Sequence, residues 1–495
     1  MIDSVVYGFQ VALQPMNLIY CFIGVLIGTL VGVLPGLGPS ATIAILLPST
    51  FRLPPVSGII MLAGIWYGVM YGGSTTSILV NIPGEPSSVV TCLDGYQMAK
   101  KGRAGPALGI SAFGSFIAGT FSIIGLTLMG PALAGLALRF GPPERFSLMV
   151  VGITVLTYLT SGSMRKSLMM ACFGLILGGV GIDAISGIYR FTYNLQALLD
   201  GLGLVPAVMG LFGISEVMLN LETEMRRDFV TSRIEHLLPT LKDWADSIGA
   251  IIRGTVLGFF LGIIPGGGAI VASFASYAIE KKVSKHPGKF GTGVIEAVAG
   301  PEAANNAAAG GAFIPLLTLG IPPNVVMAIF LGALMIHGLQ PGPLLMQNAP
   351  DVFWGTIVSM YIGNGMLLVL NLPLIGLWVK VLRVPYHLLY PLIFLFCLIG
   401  SYSVRNTAGD VVIMLIFGVL GYLMKKFQYE AAPMILAMVL GPMLEEALRQ
   451  SLLMSFGSFT IFVTRPISLG FLVTAAILLI TPMITQRRKI SHLEE

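Results

Sequence analysis

Gly28-Thr-Leu-Val-Gly32-Val-Leu-Pro35-Gly36-Leu-Gly38 and Gly258-Phe-Phe-Leu-Gly262-Ile-Ile-Pro265-Gly266-Gly267-Gly268 are one device written twice. Gly, Gly, Pro, Gly and Gly recur at the same spacings, and the second copy lies 230 positions after the first. Each stretch reads as an apolar helix that stops at Pro-Gly-X-Gly and resumes as a second, short helix. Glycine and proline inside an apolar run break the hydrogen-bond ladder and free backbone N–H and C=O groups. In a bilayer, broken backbone is tolerated only where protein buries it or where it lines a cavity. Interrupted apolar segments at matching places in two halves of a chain point to the substrate site of a transporter.

Composition sets the same scene. The 495 residues are 55% hydrophobic and 10% charged, against about 25% charged in a soluble domain. Mean hydropathy is +0.87, and many apolar runs approach the roughly 20 residues needed to span hydrocarbon. The expected fold is therefore an all-α polytopic membrane protein. The net charge of +5 reads as loop lysines and arginines on one membrane face, not as a nucleic-acid surface. Cys21, Cys92, Cys172 and Cys397 lack CxxC spacing and neighbouring histidines, so they read as free thiols. Residues 1–15 carry no basic n-region and no small-residue cleavage site, so no removable signal peptide is expected.

The duplication continues downstream. Gly72-Gly73-Ser-Thr-Thr-Ser-Ile-Leu-Val-Asn81-Ile82-Pro83-Gly84 matches Gly310-Gly311-Ala-Phe-Ile-Pro-Leu-Leu-Thr-Leu-Gly320-Ile321-Pro322-Pro323. The Gly-Gly pairs lie 238 apart and the Ile-Pro pairs 239 apart, which implies one inserted residue. Gly95-Tyr-Gln97 then lines up with Gly338-Leu-Gln340. Two copies of one architecture account for this; the competing reading is chance matching among 61 glycines.

Basic clusters supply an orientation. Lys100-Lys101-Arg103, Arg165-Lys166, Arg226-Arg227 with Arg233, Lys281-Lys282-Lys285-Lys289, Lys380-Arg383, Lys425-Lys426 and Arg487-Arg488-Lys489 all fall inside under the positive-inside rule. Spans at 107–135, 144–160, 167–184, 204–220, 352–379, 386–401, 408–424, 431–448 and 467–485 satisfy it. Parity then requires residues 17–34 and 38–50 to form a re-entrant hairpin entered from outside, and 249–264 and 268–280 one entered from inside. The broken elements around 57–97 and 304–338 run in opposite directions, so the repeats come out inverted. The rule is a bias here, because Arg139, Arg145, Arg190, Arg405, Arg449 and Arg465 fall outside. The organisation is an N-terminal repeat over 1–220, a charged cytoplasmic linker over 221–246, a C-terminal repeat over 247–450, and a final helix and tail over 451–495. The N-terminus lies outside and the C-terminus inside.

Chemistry concentrates at the breaks. A helix that restarts after Pro-Gly-X-Gly aims unpaired N–H groups and a positive dipole end at whatever lies beyond. Gly36, Gly38, Pro39, Ser40 and Thr42 at the first break, and Gly266, Gly267, Gly268, Ala269 and Ser273 at the second, form a candidate carboxylate site built from backbone and hydroxyls. Helix packing through small residues is the alternative explanation of the glycines. A side chain at Gly38 or Gly268 is expected to force unfavourable backbone geometry as well as to block a ligand. Asn305 and Asn306 join this site, because two adjacent amides in an Ala-Gly-rich helix need partners. Ser74, Thr75, Thr76, Ser77, Asn81, Glu302 and Asn324 are the ion-coupling candidates; for Glu302, helix capping is an equal alternative. Carboxylates look confined to span ends, which tilts the coupling ion toward Na⁺, although Glu85, Asp94, Glu296 and Glu302 flank the broken elements and could titrate. No HExxH, GxSxG or P-loop is present and the five histidines are dispersed, so neither an enzyme nor an ATP-driven engine is indicated. A channel-like pore is the main rival to a transporter.

Gly36-Leu-Gly38-Pro39-Ser40-Ala-Thr42, Pro265-Gly-Gly-Gly268 and above all Phe290-Gly-Thr-Gly-Val-Ile-Glu296-Ala-Val-Ala-Gly-Pro301-Glu302-Ala-Ala-Asn305-Asn306-Ala resemble the large membrane subunit, TctA, of tripartite tricarboxylate transporters. The resemblance runs from about residue 15 to the C-terminus, with no departure from the motifs. It implies a bacterial inner-membrane, ion-gradient-driven importer of organic carboxylates, working with a small membrane subunit and a periplasmic solute-binding protein. No cofactor is implied beyond a bound Na⁺, and no nucleic-acid partner. "Tricarboxylate" is a class label and does not identify the cargo.

Overall fold

Proline opens several of the helices, and Asn81 and Gly320 close two of them in the left-handed conformation, at places the sequence punctuates. The computed structural model describes residues 1–34, 37–159, 163–183, 185–222, 236–382, 384 and 386–494. In the first half α1 (Ile2–Ala12) precedes α2 (Pro15–Val33), which ends at the first break, and α3 (Pro39–Leu46) resumes beyond it. Next come α4 (Pro55–Val80), α5 (Val89–Lys100), α6 (Ala104–Ala137), α7 (Pro142–Leu159) and α8 (Met164–Gly178). A short antiparallel hairpin, β1 (Gly181–Ile182) and β2 (Tyr189–Arg190), pairs Gly181 with Arg190. α9 (Leu204–Val208) and α10 (Ser215–Glu222) are joined through a π-helical turn at Met209–Ile214.

In the second half α11 (Leu241–Ile263) ends at the second break and α12 (Gly268–Val283) resumes. They are followed by α13 (Glu296–Gly311), α14 (Phe313–Leu319), α15 (Val325–Ile336), α16 (Leu345–Asn348), α17 (Pro350–Asn371) and α18 (Ile375–Val381). The chain finishes with α19 (Tyr386–Arg405), α20 (Ala408–Lys426), α21 (Ala431–Met454), α22 (Ile461–Thr464) and α23 (Pro466–Glu494). Among the described residues nine helices are long and apolar enough to cross a membrane. The fold is that of an all-α, multi-pass membrane protein. Two spans differ from expectation. The one over 352–379 is split between α17 and α18, where Pro373 removes a ladder N–H, and the one over 167–184 stops at Gly178 because β1 takes the next residues.

Two glycine seams hold the centre. On α2 a Cβ at Gly24, Gly28 or Gly32 would strike the main chain of Met61, Ile65 or Val69 on α4. On α11 a Cβ at Gly254, Gly258 or Gly262 would strike Gly300, Ala304 or Ala308 on α13. Small residues let helix backbones approach this closely, and in lipid such packing is what drives helices together. The second set of pairs is the first shifted by 230 on one helix and 239 on the other. Gly72 faces Thr29 and Gly32, while Gly311 faces Phe259 and Gly262. The structural partner of Gly72 is thus Gly311 and not Gly310, the shift is 239 from the seam to the end of each buried element, and the inserted residue inferred from the sequence does not exist; Gly95, inside α5, and Gly338, past the end of α15 at φ 73°, are not equivalent either. Asn81 (φ 59°) and Gly320 (φ 72°), also 239 apart, end the two buried elements in the same left-handed turn.

The halves also exchange partners. α3 packs on α15, whereas α12 packs on α5 and the turn before it. Farther out, α8 packs on α21 and α20 on the α9–α10 segment. α4 and α13 are buried along almost their whole lengths, so polar groups on them face protein.

Candidate functional site

Glu302 lies in the second turn of α13 and Asn305 three residues on, which places both on one helix face. Ser74 of α4 donates its hydroxyl to Glu302 Oε2 at 2.5 Å, and Thr91 of α5 donates to Oε1 at 2.5 Å. Glu85, in the break between α4 and α5, accepts the Ser87 N–H at 2.8 Å, the Ser87 hydroxyl, and the Asn305 amide at 3.1 Å. Asn306 donates to Ser115 Oγ on α6 at 2.7 Å and to the Glu302 carbonyl at 3.1 Å. Glu302, Glu85 and Asn305 are 1%, 3% and 1% exposed. No lysine, arginine or histidine pairs with either carboxylate among the described residues. Asn305 Oδ1 is buried and has no hydrogen-bond partner.

Carboxylates therefore do occupy the protein interior, contrary to the expectation that they stay at span ends. Glu302 and Glu85 are held by neutral donors. Asp94, fully buried on α5, is different in kind: Tyr277 Oη donates to it at 2.9 Å, as do the N–H groups of Gly291, Gly293 and Val294 at 2.8, 2.8 and 2.9 Å. Four donors satisfy it, and it ties α5 of one half to the loop before α13 in the other.

The remaining candidates separate into several groups. Thr76 donates to the Val33 carbonyl at 2.7 Å, which satisfies an end group of α2 at the first break. Ser77 bonds Gly73 O and Ser88 Oγ, and Thr75 is buried on α4. Asn81 is exposed and forms the left-handed cap, while Asn324 Oδ1 accepts the Met327 N–H at 3.0 Å as the N-cap of α15. At the first tip Pro39 opens α3, Ser40 is half-buried, and Thr42 bonds the Gly38 carbonyl at 3.0 Å. Gly38 has φ −65° and ψ 165°, and nothing lies within 4 Å of a Cβ built on it. The expected backbone strain at Gly38 is absent, because any residue adopts those angles. Gly36 lies outside the described residues.

At the second break, the Gly266 N–H donates to the Pro323 carbonyl at 2.8 Å, joining it to the break between α14 and α15. Gly268 has φ 52° with open space around it, and a Cβ on Gly267 would strike the Leu261 carbonyl. Ala269 is half-buried, and Ser273 bonds Ala269 O at 3.0 Å and Pro301 O at 3.3 Å. The structure thus gathers Ser74, Glu302, Asn305 and Asn306 with Glu85, Thr91 and Ser115, which the sequence reading left out of the site. The signal for Glu85 was available in the duplication. It lies 239 before Asn324, and both residues cap the helical turn that follows their break.

A separate cavity of about 660 Å³ opens between the β1–β2 hairpin, the 200–205 loop, α15 and α21, with Arg190, Arg405 and Glu445 among its lining. Asp183 at its edge accepts from the Ser186 hydroxyl, from Arg190 and from Arg449 at 2.9 Å. The Ser186 hydrogen bond above all, then the Ile185 N–H and the two arginines, hold its carboxyl well below the usual range.

Paired interrupted helices, glycine seams and a buried polar cluster in a multi-pass bundle define an integral membrane protein of transporter type. A family model fixes the group: residues 18–436 match the tripartite tricarboxylate transporter TctA family, to which this chain belongs. It is 50% identical over 498 residues to an uncharacterized 52.8 kDa protein in the TAR-I ttuC' 3' region of Agrobacterium vitis, covering 100% of this chain and 99% of that one. A second relative, an uncharacterized protein in the TAR-II ttuC' 3' region of Agrobacterium vitis, is 52% identical over 234 residues, 47% of this chain and 97% of its own length. No solved structure matches the chain.

Proposed function

We propose that this chain is the large permease subunit of a binding-protein-dependent secondary transporter. It imports tricarboxylates or related organic carboxylates across a bacterial inner membrane, driven by a Na⁺ or proton gradient, by alternating access. It works with a small membrane subunit and a periplasmic solute-binding protein and catalyses no chemical reaction. The observation that carries the reading is the duplicated seam and break. The α2–α4 and α11–α13 seams repeat the same contacts at constant shifts, and the exchange of partners between halves is what a pseudo-two-fold relation produces. Under this reading the repeats are inverted, α2–α3 and α11–α12 are re-entrant hairpins, and their tips at Gly38–Thr42 and Gly266–Ser273 take the carboxylate on backbone N–H groups.

The test is uptake into proteoliposomes containing both membrane subunits, with a cognate binding protein and a panel of labelled carboxylates, with and without an imposed ion gradient. Saturable, gradient-dependent, binding-protein-dependent accumulation is the expected result. Uptake that neither saturates nor needs a gradient would make the chain a pore.

A further inference from the structure

The duplication supplies a control for the buried acid cluster. At the constant shift of 239, Glu302 corresponds to Ala63, Asn305 to Trp66 and Asn306 to Tyr67. Ser74 and Thr91, which bond Glu302, correspond to Phe313 and Phe330, whose rings meet edge to face at 5.2 Å. The equivalent site, also built between the halves, therefore uses Ala63 and Trp66 of the first half and Phe313 and Phe330 of the second where this one uses the acid and amide of the second half and two hydroxyls of the first. The fold does not need the acid. A buried ionisable group replaced by well-packed apolar side chains is commonly neutral or stabilising, so its presence at only one of the two repeat-related sites calls for a reason other than architecture.

We propose that Glu302, with Glu85 beside it, is where this protein takes up its driving cation. The proposal rests on the transporter reading and locates its coupling site. Three acceptors meet here without a cationic partner: the two carboxylates and Asn305 Oδ1, which is buried and unpartnered while its amide nitrogen holds Glu85. An ionised carboxylate only accepts hydrogen bonds, as does an amide oxygen. A cation supplies what both lack, whether as a proton that turns one carboxylate into a donor or as Na⁺ ligated by oxygens. A bare carboxylate pair in this setting is costly enough that uptake of positive charge must accompany its burial.

The other ionisable groups near it do not compensate the charge. Tyr71 and Cys92 are the neutral neighbours of Glu302. α4 and α6 carry no charged residue; on α5, Asp94 is engaged with Tyr277 and the 291–294 loop, and Lys100 stacks on Tyr96 at the far end. On α12, Glu280 is paired with Arg253 of α11, and Lys281 and Lys282 lie in its exposed last turn; Glu296 begins α13.

The experiment measures the thermal midpoint of the purified two-subunit membrane complex across a NaCl series balanced with choline chloride, and across a pH series. A cation bound only by the folded state raises the midpoint by mass action. A rise with Na⁺ assigns the site to sodium; a rise on acidification without a Na⁺ effect assigns it to protons. In either case Glu302→Gln is expected to abolish the dependence while melting no lower than wild type in the cation-free condition. A wild type with neither dependence, or a Glu302→Gln protein that keeps it in full, overturns the proposal. Should Glu302→Gln fail to assemble, Glu85→Gln carries the same decision, and retained dependence there overturns it. The measurement needs no cargo, so a chain that binds the cation but moves no carboxylate refutes the transporter reading and leaves this site standing. Normal gradient-driven uptake by Glu302→Gln does the reverse.

Discussion

Gly38 offers the cleanest test of the backbone anion site, because its surroundings separate ligand from fold. Its φ of −65° and ψ of 165° suit any residue, and no atom lies within 4 Å of an added Cβ. For Gly38→Ala the remaining structural cost is the N-cap exchange, of order 1 kcal/mol, offset by about 0.4–1 kcal/mol from a stiffer unfolded chain. The net change is about zero to 0.5 kcal/mol, a shift in midpoint of roughly 2 °C at most. Transport should respond quite differently. A carboxylate oxygen accepting an N–H sits about 2.9 Å from the nitrogen, and a methyl on the adjacent Cα occupies that approach. Loss of one charge-assisted hydrogen bond costs about 1.5–3 kcal/mol, or roughly 10- to 150-fold in apparent affinity. The assay is concentration-dependent uptake in proteoliposomes alongside a melting curve of the same preparation. A raised KM at an unchanged midpoint supports the site, and Gly38→Val should be more severe. Wild-type KM for both variants would remove the first tip from the substrate path. Gly268 is a poorer probe, since its φ of 52° adds backbone strain to any ligand effect.

Four further outcomes follow from the same geometry. Gly258→Ala, whose Cβ meets the Ala304 carbonyl, should destabilise the bundle by about 1–3 kcal/mol, whereas Gly135→Ala on α6, with nothing within 4 Å, should leave the midpoint unchanged or raise it. Asp94→Ala removes the shared acceptor of the Gly291, Gly293 and Val294 N–H groups and the Tyr277 hydroxyl and should cost about 1–3 kcal/mol, seen as reduced yield of folded protein. Asp183 has a depressed pKa, so its contribution is present above about pH 4 and fades as the pH falls through the depressed value; Asp183→Asn should abolish that acid sensitivity in hydrogen exchange at the β1–β2 hairpin. Ile2→Cys and Lys285→Cys, in a background lacking the exposed Cys172 and the three buried cysteines, should label from opposite faces; labelling from one face would refute the inverted topology.

What the sequence made legible was punctuation. Pro-Gly-X-Gly, Asn81-Ile-Pro and Gly320-Ile-Pro are local instructions to the backbone, and the helices stop where those residues say. The duplication was legible for the same reason, since glycines that bring two helices into contact must recur at helical spacing. The error at the Gly-Gly pairs, Gly72 set against Gly310, arose because both residues of each pair satisfy a string match. Only the partner helix distinguishes them: Gly72 must clear Thr29 and Gly32, and Gly311 must clear their equivalents Phe259 and Gly262.

That one-residue correction has a functional consequence. At a shift of 238 through the buried part of the repeat, Glu302 would fall opposite Gly64, a seam residue, and Ser74 opposite Ala312, another small residue. At 239 Ser74 and Thr91 face Phe313 and Phe330, and Glu302 faces Ala63. The acid cluster is then seen as a polar version of an apolar, aromatic site, made at one of two repeat-related places between the halves. Burial was the part no string could reveal, because Glu85 and Glu302 stand beside proline and glycine in contexts that equally describe a solvent-exposed cap. Once α4 and α13 are known to be enclosed, each carboxylate needs a compensating charge, and none is found among the described residues. An asymmetry of that kind, between halves whose glycine seams and break caps recur at constant shifts, is where a duplicated scaffold acquires a directional task.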